Sequence, residues 1–210
     1  MLFKLTRRQA LGAMAAAAAP SKKTVAMIIT EYRHNAHADV IGTRLLEGYE
    51  YNGKRLEPRV KVVSMYTDQK PRNDMSVAKA AKHNVPMYNT VREALTLGGG
   101  KLAVDGVVVI GEHGTYPYNE KLQHLYPRYE LFSQVVDVYK ASGRSVPAFC
   151  DKHLSVDWAK AKQMYDWSRE LKFPLLAGSS LPICWRKPAV EIPLGSKMKH
   201  AVTAFYGGLE

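Results

Sequence analysis

From Thr24 onward, short apolar runs alternate with stretches whose apolar residues recur every three or four positions. The runs read as strands: Val25–Ile29, Val60–Met65, Val107–Ile110, Val146–Cys150 and Pro174–Ala177. Val107–Ile110 is nearly pure β-branched residues without in–out alternation, which fits a strand covered on both faces. The periodic stretches between the runs read as helices. Ala36–Leu46 puts Ala38, Ile41, Leu45 and Leu46 on one face, and Tyr129–Ala141 does the same with Leu131, Val135, Val136 and Tyr139. Ser76–His83 and Val91–Leu97 are shorter helices, and Ser155–Leu171 opens with Ser155 and Asp157 as helix-capping residues. Gly98–Gly100 reads as a loop and Pro182–Pro193 as a linker leaving the domain. Repeated β-α-β units with short connections predict an α/β fold with a doubly wound parallel sheet, because right-handed crossovers cover both faces.

Composition narrows the picture. At 210 residues the chain has room for one domain, or one plus part of another. A hydrophobic fraction of 46% with 23% charged residues excludes wholesale disorder. A conventional membrane-spanning helix is excluded too, since no run of ~18 strongly apolar residues occurs. Two cysteines are too few for a disulfide scaffold, and no CxxC pair suggests zinc. The net charge of +11 comes from scattered residues with no basic run. That points to a general preference for anionic ligands and away from nucleic acid.

The first residues read as an address. Lys4, Arg7 and Arg8 precede a modestly apolar stretch, Ala10–Ala19, that ends in small residues. The core Thr6–Gly12 resembles a twin-arginine export signal, with cleavage expected about one residue before Pro20. Export to the periplasm, or otherwise out of the cytoplasm, is the expectation. Loss of residues 1–19, with three cations and no acid, lowers the net charge from +11 to +8.

In open parallel sheets ligands bind beyond the carboxyl ends of the strands, where strand order reverses. The residues after each run are therefore the candidates: Thr30, Glu31, Arg33, His34 and His37; then Asp68; then Gly111, Glu112 and His113; then Asp151, Lys152 and His153. Gly178, Ser179, Ser180, Trp185 and Arg186 come after the last strand. Imidazoles and carboxylates at one edge suit divalent metals, but their spacing matches no recognised ligand pattern. His34 and His37 read equally as capping or packing residues, and no metal is assigned. Cys150 and Cys184 end neighbouring strands, and two buried free thiols are the plainer expectation than a disulfide.

Three stretches resemble the Gfo/Idh/MocA family, the glucose–fructose oxidoreductase and inositol dehydrogenase group. Asp74–Leu95 is similar to the helix, "P-x-Y" segment and "E-A-L" helix after the second strand. Asp105–Gly111, "DGVVVIG", is similar to the family's "D-a-V-x-I-a-T" strand. Val146–Ser155, "VPAFCDKHLS", continued through the helix and strand to Arg186, resembles the "E-K-P" motif, helix and next strand. The likeness spans residues 23–186 and implies a Rossmann-like nucleotide-binding domain. It further implies an oxidoreductase acting on a sugar or polyol with NAD or NADP, no nucleic-acid partner, and no membrane association once the leader is removed.

By that resemblance Lys152 takes the motif's lysine position, contacting nicotinamide or substrate and assisting proton transfer, while Asp151 replaces the glutamate and His153 the proline. Cofactor contacts fall to Thr30, Glu31, Arg33 and His34, to Gly111, Glu112, His113 and Asp151, and to Asp68 at the ribose. Asp68 also reads as a turn-forming residue. Two departures stand out. Thr30–His37 contains no glycine where the family has G-x-G-x-x-G, and Glu31 adds a negative charge where pyrophosphate would lie. The family also continues into a second α/β domain, whereas residues 187–210 supply only a linker and what reads as that domain's first strand. A truncated chain would expose an apolar face and self-associate. The alternatives are a non-catalytic relative that binds a small ligand without dinucleotide, and metal-dependent chemistry at the same edge.

Overall fold

The structure is a computed structural model that describes residues 21–178, 192–200 and 202. The leader, Cys184, Trp185, Arg186 and the expected second-domain strand lie outside the described residues. Six strands form one parallel sheet: β1 (Lys23–Glu31), β4 (Val60–Gln69), β5 (Met87–Tyr88), β6 (Gly106–Ile110), β7 (Ala148–Asp151) and β8 (Leu175–Gly178). Their order is β5-β4-β1-β6-β7-β8, and every neighbouring pair is parallel. The chain thus winds outward from β1 in one direction, returns, and winds outward in the other. This is the doubly wound Rossmann-like order, and its switch point lies between the carboxyl ends of β1 and β6.

Helices cover both faces. A π-helical turn, Ala38–Gly42, runs into α1 (Thr43–Glu47); then come α2 (Ser76–Lys82), α3 (Val91–Thr96), α4 (Arg128–Ser142) and α5 (Trp158–Glu170). The pleat of β1 distributes its side chains to two cores. Ala26 and Ile28 join Val107, Val109, Phe132 and Val135 on one face. Met27 and Ile29 join Met65, Ile110, Tyr32 and Ala80 on the other. Helix α3 is held by a capping box in which the Thr90 side chain accepts from the Glu93 amide, and the Glu93 carboxylate accepts from the Thr90 amide. It ends at Leu97 in the left-handed region, φ 52°.

The structure departs from the sequence pattern in several places, and β1, β7 and β8 take in Thr30, Glu31, Asp151 and Gly178, which read as lying beyond them. A hairpin, β2 (Tyr49–Tyr51) with β3 (Lys54–Leu56), turns on Asn52-Gly53, both at positive φ. Strand β5 has only two residues. β4 runs past Met65 to Gln69, so Asp68 lies within the strand and not beyond it. α5 begins at Trp158 with Asp157 as its cap, accepting from the Lys160 amide at 2.8 Å, while Ser155 accepts from the Asp157 amide. Cys150 is a buried free thiol whose pKa burial pushes up to about 12, so it is unreactive. Among the described residues no helix is long and apolar enough to cross a membrane. Within residues 192–200, Ser196 closes a turn onto the Pro193 carbonyl.

Candidate functional site

The residues at the carboxyl ends of β1, β6 and β7 converge, but they do so by bonding to one another. Thr30 is fully buried, and its hydroxyl donates across the switch point to the Glu112 carbonyl at 2.7 Å, with the Ile110 carbonyl at 3.3 Å. Glu31 is buried and takes Arg33 Nε at 2.5 Å; the same guanidinium reaches His113 Nδ1 at 3.3 Å. Beyond the strand, Asn35 turns the chain at φ 59°. The Asp39 carboxylate accepts the Asn35 amide at 3.1 Å and the Thr43 hydroxyl at 2.7 Å. His34 is exposed, beside Asp39 at 3.6 Å, and stands apart from the convergent group.

These contacts bear on dinucleotide fit. A Rossmann pyrophosphate needs a close, glycine-lined backbone and free amides at the first helix. Here Thr30 bonds across the crevice, Glu31 is buried beside it, and Asp39 holds the Asn35 amide in the turn before the first helix. Phosphate would meet two carboxylates where the fold normally offers N–H groups. Asp68, expected near a ribose, has both oxygens taken by tyrosines: Tyr66 donates to one at 2.7 Å and Tyr116 to the other at 2.6 Å. Burial and the Asp68 carboxylate together raise both phenols, which keeps them protonated donors. The residues present do not fit a dinucleotide held in the usual way.

The other side of the switch point is open. A cavity of about 570 Å³ is lined by Glu112, His124, Tyr126, Arg128, His153 and Ser155 among others. It shares Tyr126, Arg128 and Ser155 with a neighbouring cavity of about 790 Å³ that reaches Asp157 and Lys160 at the start of α5. Both volumes suit small molecules.

Arg128, the first residue of α4, is the principal side chain here, only 4% exposed. It pairs with Glu112 through Nη2, approaches His153 Nε2 through Nη1 at 3.3 Å, and stacks over the Tyr126 ring at 5.0 Å. Burial lowers its pKa to about 10, with the Asp151 charge pulling the other way, so it stays cationic at neutral pH. His153 is lowered first by burial and then by the Arg128 and Lys152 charges, which favours the neutral imidazole. Arg128 Nε and His124 Nδ1 are buried without hydrogen-bond partners among the described residues.

Gly111 makes room for Arg128: a Cβ there would lie 2.7 Å from Arg128 Cγ. His113 and Lys152 both adopt positive φ, 68° and 66°, at the ends of β6 and β7. Lys152 bridges by its amide to the Gly178 carbonyl at 3.3 Å, which fixes its backbone at the β7–β8 edge. Asp151 is buried, and His37 Nδ1 meets it at 2.6 Å; His37 also packs edge-on to His113 at 5.1 Å. Arg128 is not singled out by sequence pattern, and His37 and Asp151 are candidates whose pairing the pattern does not show. Arg128 opens a helix at a position usually solvated, and His37 lies 114 residues from Asp151.

No protein-family model matches the chain, and no curated relative matches it. Solved structures do. Biliverdin reductase from Synechocystis, determined with biliverdin and NADP+, is 14% identical at TM-score 0.46, over 75% of this chain and 38% of its own. A Gfo/Idh/MocA family oxidoreductase from Vibrio cholerae is 18% identical at TM-score 0.47, over 75% and 38%. Myo-inositol 2-dehydrogenase from Lactobacillus plantarum is 13% identical at TM-score 0.45, over 75% and 36%. The chain therefore spans well under half the length of these neighbours, and its fold rests on its own strand order.

Proposed function

We propose that this chain is an exported Rossmann-type domain that binds a small hydroxyl- or carboxylate-bearing molecule, of the sugar, polyol or sugar-acid class. The ligand occupies the cavity beside β6 and β7, and the domain does not itself hold a nicotinamide dinucleotide. One observation carries the proposal. The β1 side of the switch point is closed by Thr30, Glu31 and Asp39, while the β6–β7 side keeps an open cavity walled by Arg128, Glu112 and His153. Alternating donors and acceptors of that kind suit a polyhydroxylated ligand, and a buried guanidinium suits a carboxylate. Export is supported by Arg7, Arg8 and the alanine-rich stretch after them.

The test is calorimetric titration of the purified chain with aldoses, polyols and their acids. Binding by at least one member should weaken tenfold or more in His153→Ala while His34→Ala leaves it unchanged. Absence of binding across the panel, or equal affinity in His153→Ala, would overturn the proposal. Export is checked by changing Arg7 and Arg8 together to Lys, which should hold precursor in the cytoplasm.

A second reading keeps the oxidoreductase of the resembled family, with Lys152 polarising a substrate oxygen. What favours it is the placement of Lys152 at the carboxyl end of β7, one strand from the switch point. Its test is turnover of polyols or aldoses with either nicotinamide cofactor. Turnover that disappears in Lys152→Ala would decide for this reading.

A further inference from the structure

We infer that His37, Glu112 and Asp151 form a divalent-cation site at the centre of the strand edge. One donor atom from each of the three lies within 4.8 Å of the others. They come from three separate places in the chain: the turn after β1, two residues beyond β6, and the end of β7. Metal–ligand bonds of ~2.1 Å set donor–donor separations of ~3.0–4.2 Å. The trio's spread of up to 4.8 Å lies just outside that range.

Three independent features support a cation over a merely solvated cluster. The carboxylates are not surface groups: the side chains of Asp151 and Glu112 are 6% and 13% exposed, and that of His37 is 28% exposed. Arg128 already pairs with Glu112 and His37 with Asp151, and a bound cation would add to that compensation. Two of the three ligands are also oriented by a neighbour outside the trio. Arg128 holds Glu112, and the His113 ring packs against His37. Supporting contacts of that sort fix ligands around metals and tune their affinity. Finally, Glu112 belongs both to the trio and to the wall of the 570 Å³ cavity, so a bound cation would face the space a ligand occupies.

One imidazole nitrogen and two carboxylate oxygens suit Mn²⁺, Fe²⁺, Co²⁺ or Zn²⁺, and leave coordination positions for ligand hydroxyls or water. The carboxylates and the imidazole must be deprotonated to ligate, so metal binding competes with protons. The site does not depend on the ligand-binding proposal, because its test uses the metal alone.

The experiment titrates chelator-treated full-length chain with Co²⁺ and Zn²⁺, read by calorimetry, by the visible Co²⁺ spectrum and by elemental analysis after gel filtration. One ion per chain is expected. His37→Gln, Glu112→Gln and Asp151→Asn should each weaken it by ~100-fold or more, beyond the loss typical for a supporting contact. His34→Ala, which alters an exposed imidazole on the same turn, should leave it unchanged. Circular dichroism of each metal-free variant separates lost ligation from lost fold. Should one buried variant fail to fold, the other two and the tetrahedral or octahedral Co²⁺ band still decide. No stoichiometric uptake, uptake unchanged in the folded variants, or uptake lost in His34→Ala would overturn the inference. Sugar or sugar-acid binding that persists in chelator would then leave the ligand proposal standing on its own.

Discussion

Replacing Arg128 by Met should destabilise the domain by about 3 kcal/mol, and adding Glu112→Gln should restore most of that loss. Arg128 is 4% exposed and the Glu112 side chain 13%, so the pair is desolvated on both sides. Removing one partner of a buried ion pair costs ~3–5 kcal/mol, because the remaining charge is left without compensation. The residual access of Glu112 to water argues for the lower end. Met keeps the aliphatic stem that packs under Gly111 and Tyr126, so the cavity contribution stays small. In the double variant neither group is charged, and stability should return to within ~1 kcal/mol of the parent. Urea unfolding followed by circular dichroism measures it: with a slope of ~1–3 kcal/mol per molar, the single variant's midpoint should fall by ~1–3 M. A single variant that costs less than ~1 kcal/mol, or a double variant no better than the single, would refute the claim that charge compensation holds this corner together.

Thr90→Ala should lose ~1 kcal/mol by removing the cap of α3, with Glu93→Gln costing less, as thermal melts will show. Glu47 supplies an acid-range effect. Lys82, His83 and Lys79 hold its carboxylate down at about 2, so its contribution is present above the ordinary carboxylate pKa and lost as pH falls toward 2. Solvent screening at this partly exposed cluster reduces the effect to the order of 1 kcal/mol, and Glu47→Gln should flatten the stability profile between about pH 5 and 2. Gly111→Ala should cost ~1–3 kcal/mol in urea unfolding, because its Cβ would displace Arg128.

The buried strands are legible in the sequence because each is coated on both faces and therefore apolar throughout, as in Val107–Ile110. The hairpin is not, even though Asn52-Gly53 is a strong turn signal, because its two strands are exposed and alternate no apolar face. Asp68 reads as lying beyond its strand because the apolar run ends at Met65, while backbone pairing carries β4 on to Gln69. At the site, sequence order identifies which loops meet but not which side chains bond. The Thr30 stitch, the His37–Asp151 contact and the Arg128–Glu112 pair all span 16 residues or more. Arg128 escapes a reading of sequence alone for a physical reason: a charged residue opening a helix is normally solvated, and its burial depends on an acid supplied from another element.

Titration of the purified chain with NAD+ and NADP+ tests the central claim most directly. Losing several backbone-amide contacts to phosphate, each worth ~1.5–3 kcal/mol, costs a hundredfold or more in affinity. With Asp39 holding the Asn35 amide and Glu31 buried beside the crevice, both dinucleotides should bind more weakly than ~0.1 mM, about −5.5 kcal/mol or less favourable. Sub-micromolar binding of either would contradict it, showing that the β1 side of the switch point opens to the cofactor after all.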